Sequence, residues 1–430
     1  MKIKIRRLYL WLITFSSAIT YGFNFFHSPD TMYNGTFVQR QYGNAFTINI
    51  FTLLLPIGFL VIIILNKRIK FSKDIFIACI IFFIFTFFFP NNQNREFTCF
   101  AIYALGKYLL LFIILISIYE IDEFKKDILG VFKAILVFET ILGILQVFFS
   151  IKIPYISTWS TDSIRNGLVR MAGTFSSGPD FSLVIAFLMS FFLVECLYNS
   201  EKRLRKYIII CVFDIWFAGS RTMIVIIAII TFYILLKKYK NQIFFKILLS
   251  IMSITTIWAV SFTTFYQNMF VNNNIKDMFM TRLVHWMAAI HIIKDNWLFG
   301  VGLNNSVTYI QNHPQIISNI YKNSLENIGF YYTNPIHNSI LLVFCECGII
   351  GGILYLGIYI KMILECRKFF IIYDVRKRKN NYLFIICATI IWFVYALQGW
   401  GTLKEHSWIL FTLLYTYFIL LKKSNNQLIN

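Results

Sequence analysis

Apolar runs of about 17 to 25 residues recur along almost the whole chain, separated by short polar breaks, and each has the length of a membrane-crossing helix. Twelve such spans are predicted, near residues 8–26, 46–65, 75–90, 98–119, 128–150, 180–199, 207–218, 221–236, 243–266, 336–360, 382–398 and 406–421. Tyr207 to Leu236 would read as one helix were it not for Gly219-Ser220-Arg221, and an arginine at the midplane of a single helix costs several kcal/mol. Two short spans meeting at a tight turn avoid that cost. The pattern breaks for long only once, in the polar stretch 267–335 between the ninth and tenth spans. Within it, Arg282 to Ile293 carries apolar positions at helical spacing, which predicts an amphipathic helix along the membrane surface, ending near Asp295 and leading to Gly300-Val301-Gly302. The expected fold is therefore an all-α polytopic membrane protein in three segments: 1–266, a loop segment 267–335, and 336–430.

Composition agrees with that reading. At 58% hydrophobic, 19% aromatic and a mean hydropathy of +0.66, the 430 residues are too apolar for a soluble core. The net charge of +20 would suit a nucleic-acid partner only if the cations clustered on one face, whereas here they recur in clumps between apolar runs. With the N-terminus inside, 27 of the 40 Lys and Arg fall in cytoplasmic segments, as short cytoplasmic loops require. No small-residue cleavage site follows the first run, so it reads as a retained span and both termini as cytoplasmic. The eight cysteines form no C-x-x-C pair and read as small apolar packers.

This topology leaves a short outer inventory in which a few arginines defy the positive-inside bias. Arg165 and Arg170 precede Gly173-Thr174-Phe175, Arg221 sits in a turn with almost no loop to escape into, and Arg282 opens the amphipathic segment. A guanidinium fork matches a phosphate or diphosphate, and that match would explain cations held where insertion disfavours them. Snorkelling or loop arginines are the ordinary alternative, least so for Arg221. His285 and His291 are six apart, off the spacing that would set both on one helix face for a metal. The long segment then plunges into a span at Pro335-Ile336-His337-Asn338, where an imidazole can titrate near neutrality and face a lipid-borne substrate. Pro335 fixes the backbone before His337, Asn338 offers an amide to orient a substrate, and the glycines of Cys345 to Gly352 would let neighbouring helices approach closely. Glu346, nine residues on, is placed to find a buried partner across the bundle.

Gly219-Ser220-Arg221-Thr222, the stretch Arg282 to Gly302 with Trp286, Asn296-Trp297 and Gly300-x-Gly302, and His337-Asn338 followed by Glu346-x-Gly348-Ile349-Ile350-Gly351, in that order around one large outer loop, resemble the O-antigen polymerase and ligase superfamily of bacterial envelope glycosyltransferases, the Wzy/WaaL type. The resemblance is sharpest from Arg221 to Gly352. It implies a metal-independent, cofactor-free, inverting transfer of glycan from undecaprenyl diphosphate on the periplasmic side of the inner membrane. It also implies that Arg221 and Arg282 bind the diphosphate and that His337 acts as base or orients the acceptor. Arg170 joins them through a looser Arg-x-x-Gly-Thr-Phe match, and a chain-length regulator enters as partner on the same footing. The chemistry is consistent: cations must meet the charge of a departing diphosphate, the outer loops hold no Asp-x-Asp pair, and neutral His337 is well placed to take the acceptor proton.

Polymerase and ligase share this machinery and differ in acceptor, a second lipid-linked repeat unit for one and lipid A core for the other. The early loops are neither strongly basic nor otherwise suited to a phosphate-rich core, and the aromatic walls suit a polyprenyl chain, so the reading leans to polymerase. A twelve-span transporter or lipid-linked-oligosaccharide flippase is the rival from another class. Its two similar halves and central cytoplasmic linker are not evident here, where the sixth and seventh spans are joined only by Ser200 to Lys206. A membrane scaffold would not call for arginines at awkward outer positions.

Overall fold

Four helices in this chain begin where a side-chain oxygen accepts from the N–H groups that a first turn leaves unpaired, a need that lipid cannot meet. Asn49, Asn94, Ser177 and Asn338 each do so, the first two at 3.0 Å to the N–H groups of Thr52 and Glu96, Ser177 to Asp180, and Asn338 to Ile340 and Leu341 at 3.0 Å. The computed structural model describes residues 2–19, 24–27, 42, 46–70, 73–90, 94–151, 164–165, 168–175, 177–199, 201–239, 275–320, 333–372, 379–399 and 401–429. Its helices are α1 (Lys2–Ile19), α2 (Ile50–Ile64), α3 (Lys73–Phe88), α4 (Arg95–Ile118), α5 (Ile121–Phe149), α6 (Gly178–Tyr198) and α7 (Arg205–Ala218). They continue with α8 (Arg221–Lys238), α9 (Ile275–Asp295), α10 (Ser306–Asn312), α11 (Gln315–Ile320), α12 (Ser339–Ile372), α13 (Lys379–Ala396) and α14 (Glu405–Ile429). Two small antiparallel pairs interrupt them, β1 (Asn24–His27) with β2 (Thr47–Asn49) and β3 (Ile164–Arg165) with β4 (Leu168–Val169).

The chain divides into two units. One comprises residues 1–127, 277–361 and 396–430. At its centre α4 packs against α2 and α14, and α1 packs against both of those. Leu111, Ile114 and Leu115 of α4 are fully buried there. A charge is carried into this core in paired form: the buried Lys107 ammonium lies 3.4 Å from Glu405 and over the Tyr103 ring at 5.0 Å, and Asn49 also donates to Glu405 at 3.2 Å. The other unit comprises 128–276 and 362–395. Its axis is α6, apolar on every face and buried along nearly its whole length, as a helix without a polar stripe must be. α7 and α8 pack on α6, and Phe187 meets Phe384 and Trp392 of α13 edge-on at 5.6 and 6.1 Å.

The membrane reading holds at its coarser level. Among the described residues four helices are long and apolar enough to cross a membrane, Arg95–Ile118, Ile121–Phe149, Gly178–Tyr198 and Ser339–Lys368, with shorter apolar helices at Ile50–Ile64, Ile77–Phe88 and Asn381–Ala396. The break at Gly219 is as expected, separating α7 from α8. Residues 243–266, expected as the ninth span, lie outside the described residues. One expectation needs correction. The first two apolar runs do not continue as helix to residue 26 or from residue 46, because their facing ends pair as β1 and β2. Aromatic Phe25 and Phe26 beside β-branched Thr47 and Ile48 favour that ladder over helix. The polar segment 267–335, expected to carry an amphipathic helix, holds α9, α10 and α11 among its described residues.

Candidate functional site

In the first unit the candidate chemistry centres on two histidines from distant parts of the chain. α9 spans the predicted amphipathic helix and ends at Asp295 as expected, although it starts earlier, at Ile275. Val284, Ala288, Ala289 and Ile292 form its buried stripe, while Met287 and Ile290 are exposed. His285 lies on the buried side at 0% exposure and His291 is exposed, so the two do not converge. The ring of His285 stacks instead on His337, with centroids 4.9 Å apart and planes 27° from parallel. The main-chain N–H of His337 donates to His285 Nδ1 at 3.3 Å.

These contacts define the protonation of both rings. His285 Nδ1 accepts, so the neutral ring carries its proton on Nε2. Burial, and then the neighbouring His337, push the His285 pKa well below its usual 6.5, which keeps the ring uncharged. His337 Nδ1 lies 3.1 Å from the Pro335 carbonyl, which can only accept, so Nδ1 donates and Nε2 of the neutral ring holds a lone pair. Pro335 thus does more than set the backbone, since its own carbonyl selects the tautomer. The His337 ring is half-buried. Arg282, also half-buried, precedes His285 by one helical turn on α9, which brings its stem onto the same side of the helix. Asn338, expected to orient a substrate, is buried and spends its side-chain oxygen on the first turn of α12.

The loop after α9 is bound to α12 where that helix breaks. Gly348 stands at φ 62°, ψ −166°, a conformation open essentially to glycine alone, and a Cβ there would lie 2.2 Å from the Leu298 carbonyl oxygen. The expected close approach at these glycines is real, but at Gly348 what approaches is loop backbone and not another helix. In an unbroken helix the Cys345 carbonyl would accept from Ile349. Here Cys345 accepts from Val301 at 2.9 Å and the Ile349 N–H donates to Trp297 at 2.8 Å, while Gly302 donates to the Glu346 carbonyl at 2.9 Å. The Glu346 carboxylate, 1% exposed, accepts from the Asn304 N–H at 2.8 Å and from the Ser306 N–H and hydroxyl at 3.3 and 2.8 Å. Its buried partner is thus the loop and the start of α10.

In the second unit the arginine motifs meet at one turn. α7 ends at Ala218, its capping residue Gly219 takes the left-handed φ of 64°, and α8 begins at Arg221. Buried Arg170 donates from Nε to the Ala218 carbonyl at 2.9 Å and from Nη2 to that of Gly219 at 3.3 Å, and its neighbour Met171 donates to Phe217 at 3.1 Å. A cation on the last carbonyls of α7 also complements the helix dipole. Arg170 therefore holds the turn that starts α8. The segment after it is held from α5: Gln146 accepts from the N–H groups of Ala172 and Gly173, at 3.1 and 2.8 Å, and Glu139 accepts from Thr174 N–H and hydroxyl at 2.9 and 2.7 Å. Sequence reasoning passed over Glu139 and Gln146, though polar residues seven apart in an apolar span mark one face of a helix. Arg165 lies in β3, paired across to Leu168. The side chains of Arg165 and Arg221 lie outside the described residues.

Comparison with known proteins gives one family. Residues 207–356 match the family model described as O-antigen ligase. The matched range contains Arg221, Arg282, His285, His337, Asn338 and Glu346, and leaves Arg165 and Arg170 outside. No curated protein matches the chain.

Proposed function

Because the match over residues 207–356 supports membership of the O-antigen polymerase and ligase superfamily, we propose that this chain polymerises a surface glycan by joining undecaprenyl-diphosphate-linked repeat units. The observation that carries the reading is the contact of His337 Nδ1 with the Pro335 carbonyl: it leaves Nε2 of the neutral ring as the basic atom, on a ring stacked against His285, which follows Arg282 by one helical turn. An acceptor hydroxyl gives its proton to Nε2 as its oxygen attacks the anomeric carbon. The bond from that carbon to the diphosphate breaks with inversion, and undecaprenyl diphosphate leaves with the electron pair. Arg282 meets the charge developing on that leaving group, and Arg221 takes the same chemical role. Arg170 acts by holding the turn that precedes Arg221, and Arg165 and Asn338 keep a substrate-binding role in this reading.

In this reading the chain crosses the bacterial inner membrane twelve times with both termini cytoplasmic, and 267–335 faces the periplasm. Weakly basic outer segments favour a lipid-linked acceptor over a phosphate-rich lipid A core. Purified protein in nanodiscs, given lipid-linked repeat units with and without lipid A core and with a chelator present, tests each element. Polymer formed in chelator without core is the expected result. Glycan capped onto core, with no polymer, would make the chain a ligase, and loss of transfer in chelator would overturn the metal-independent step.

A further inference from the structure

We propose that Glu346 is a positioning residue for this transfer: its carboxylate clamps the loop after α9 to α12 and thereby holds Arg282 and His285 in register with His337. The inference rests on the proposed function for its activity readout alone.

Three features of the geometry lead there. First, Glu346 lies on the stretch of α12 that is fixed at both ends, by the Asn338 cap directly after His337 and by the break at Gly348. Nine residues from His337 is two and a half turns, so displacing Glu346 displaces the start of the helix with it. Second, its partners Asn304 and Ser306 lie nine and eleven residues past the end of α9, and they bring two main-chain N–H groups and one hydroxyl to its carboxylate. A carboxylate accepts at both oxygens, whereas an amide accepts at one and turns a donor toward another donor. Third, α9, its loop and α12 are also tied by main-chain bonds at Val301, Gly302 and Ile349, by the Cys345 thiol on the Ala289 carbonyl at 3.4 Å, and by the His337 N–H on His285. A side-chain substitution at Glu346 alters the clamp without touching that backbone. It is not itself a base for the substrate, being buried with both oxygens occupied.

Misplacement of about 1 Å at a reacting centre costs on the order of 100-fold in rate. Glu346→Gln in the reconstituted protein is therefore expected to lower kcat roughly 10- to 100-fold, with the KM for the lipid-linked donor within about threefold of wild type. Amide hydrogen exchange at residues 301–306 should speed up in the same variant. Ser306→Ala, a milder change that removes only the hydroxyl contact, should lower kcat less. The double variant should fall no further than Glu346→Gln alone, because both cut one contact. Wild-type kcat in Glu346→Gln with faster loop exchange would overturn the positioning role, as would additive losses in the double variant. Unchanged exchange would overturn the clamp whatever the activity. If the wild type itself transfers no glycan, the functional reading falls while the exchange experiment still decides the clamp. Should Glu346→Gln fail to fold, Ser306→Ala decides: a lowered kcat at constant KM supports the role, and a wild-type kcat with faster loop exchange sinks it.

Discussion

His285 accepts the main-chain N–H of His337 on Nδ1 while the two rings lie face to face, so the buried histidine of α9 sets the backbone from which the second imidazole projects. Stacking two imidazoles this closely is tolerable only while at least one stays neutral. Burial ensures that it is His285.

If Nε2 of His337 is the base, losing it removes general-base catalysis, typically worth 100- to 10,000-fold. His337→Ala is expected to lower polymer formation by at least about 100-fold while expression and membrane insertion stay at wild-type levels. Wild-type chain-length ladders from that variant would refute the role.

The depressed pKa of His285 has a definite sign in stability. The unfolded ring binds a proton near its ordinary 6.5 and the folded ring does so only at much lower pH, so stability is full above 6.5 and is lost as pH falls below it. The melting temperature in detergent should be flat from pH 7 to 8 and fall on acidification. Replacing His285 with Gln, which retains an acceptor oxygen, should flatten part of that acid limb. An unchanged slope would mean that the loss comes from other groups.

Arg170→Ala removes both guanidinium bonds from the end of α7 and leaves buried carbonyls unmet, for an expected cost of about 1–3 kcal/mol. Arg170→Lys should recover only part of it, since an ammonium cannot reproduce the planar fork. Arg221→Ala should reduce activity with a much smaller change in stability. Denaturation and transfer assays run side by side on the three variants separate the positioning arginine from the one assigned to the diphosphate.

Gly348→Ala places a Cβ against the Leu298 carbonyl in a backbone conformation that costs about 1–3 kcal/mol for any other residue, before the clash is counted. A lowered melting temperature and poorer yield are expected from fluorescence-detected size exclusion. Gly357→Ala, whose Cβ would meet nothing within 4 Å, serves as the matched control.

Much of this was legible in the sequence where a residue has one physical option. Gly219-Ser220-Arg221 had to break a span, because a midplane arginine is costly, and the helix from Arg282 to Asp295 followed from its apolar period. His337 was conspicuous as a histidine at a loop-to-span junction. Its stacking on His285 was not, because a contact across 52 positions leaves no mark in spacing. The β1–β2 pair was hidden for a related reason: short aromatic and β-branched ends of apolar runs read equally as helix or strand, and the decision lies in the partner. Asn338 and Arg170 carry structural contacts that spacing does not show either. Polar side chains that looked available for a ligand are engaged on main-chain groups, which a membrane protein must satisfy from within.

Only two residues separate α7 from α8, and that joint has no slack. One inserted residue would add up to about 3.5 Å of chain to the joint and carry Arg221 off its bearing. Length variation among related chains should therefore collect elsewhere, and this joint should serve as a fixed ruler against which their more divergent segments can be aligned.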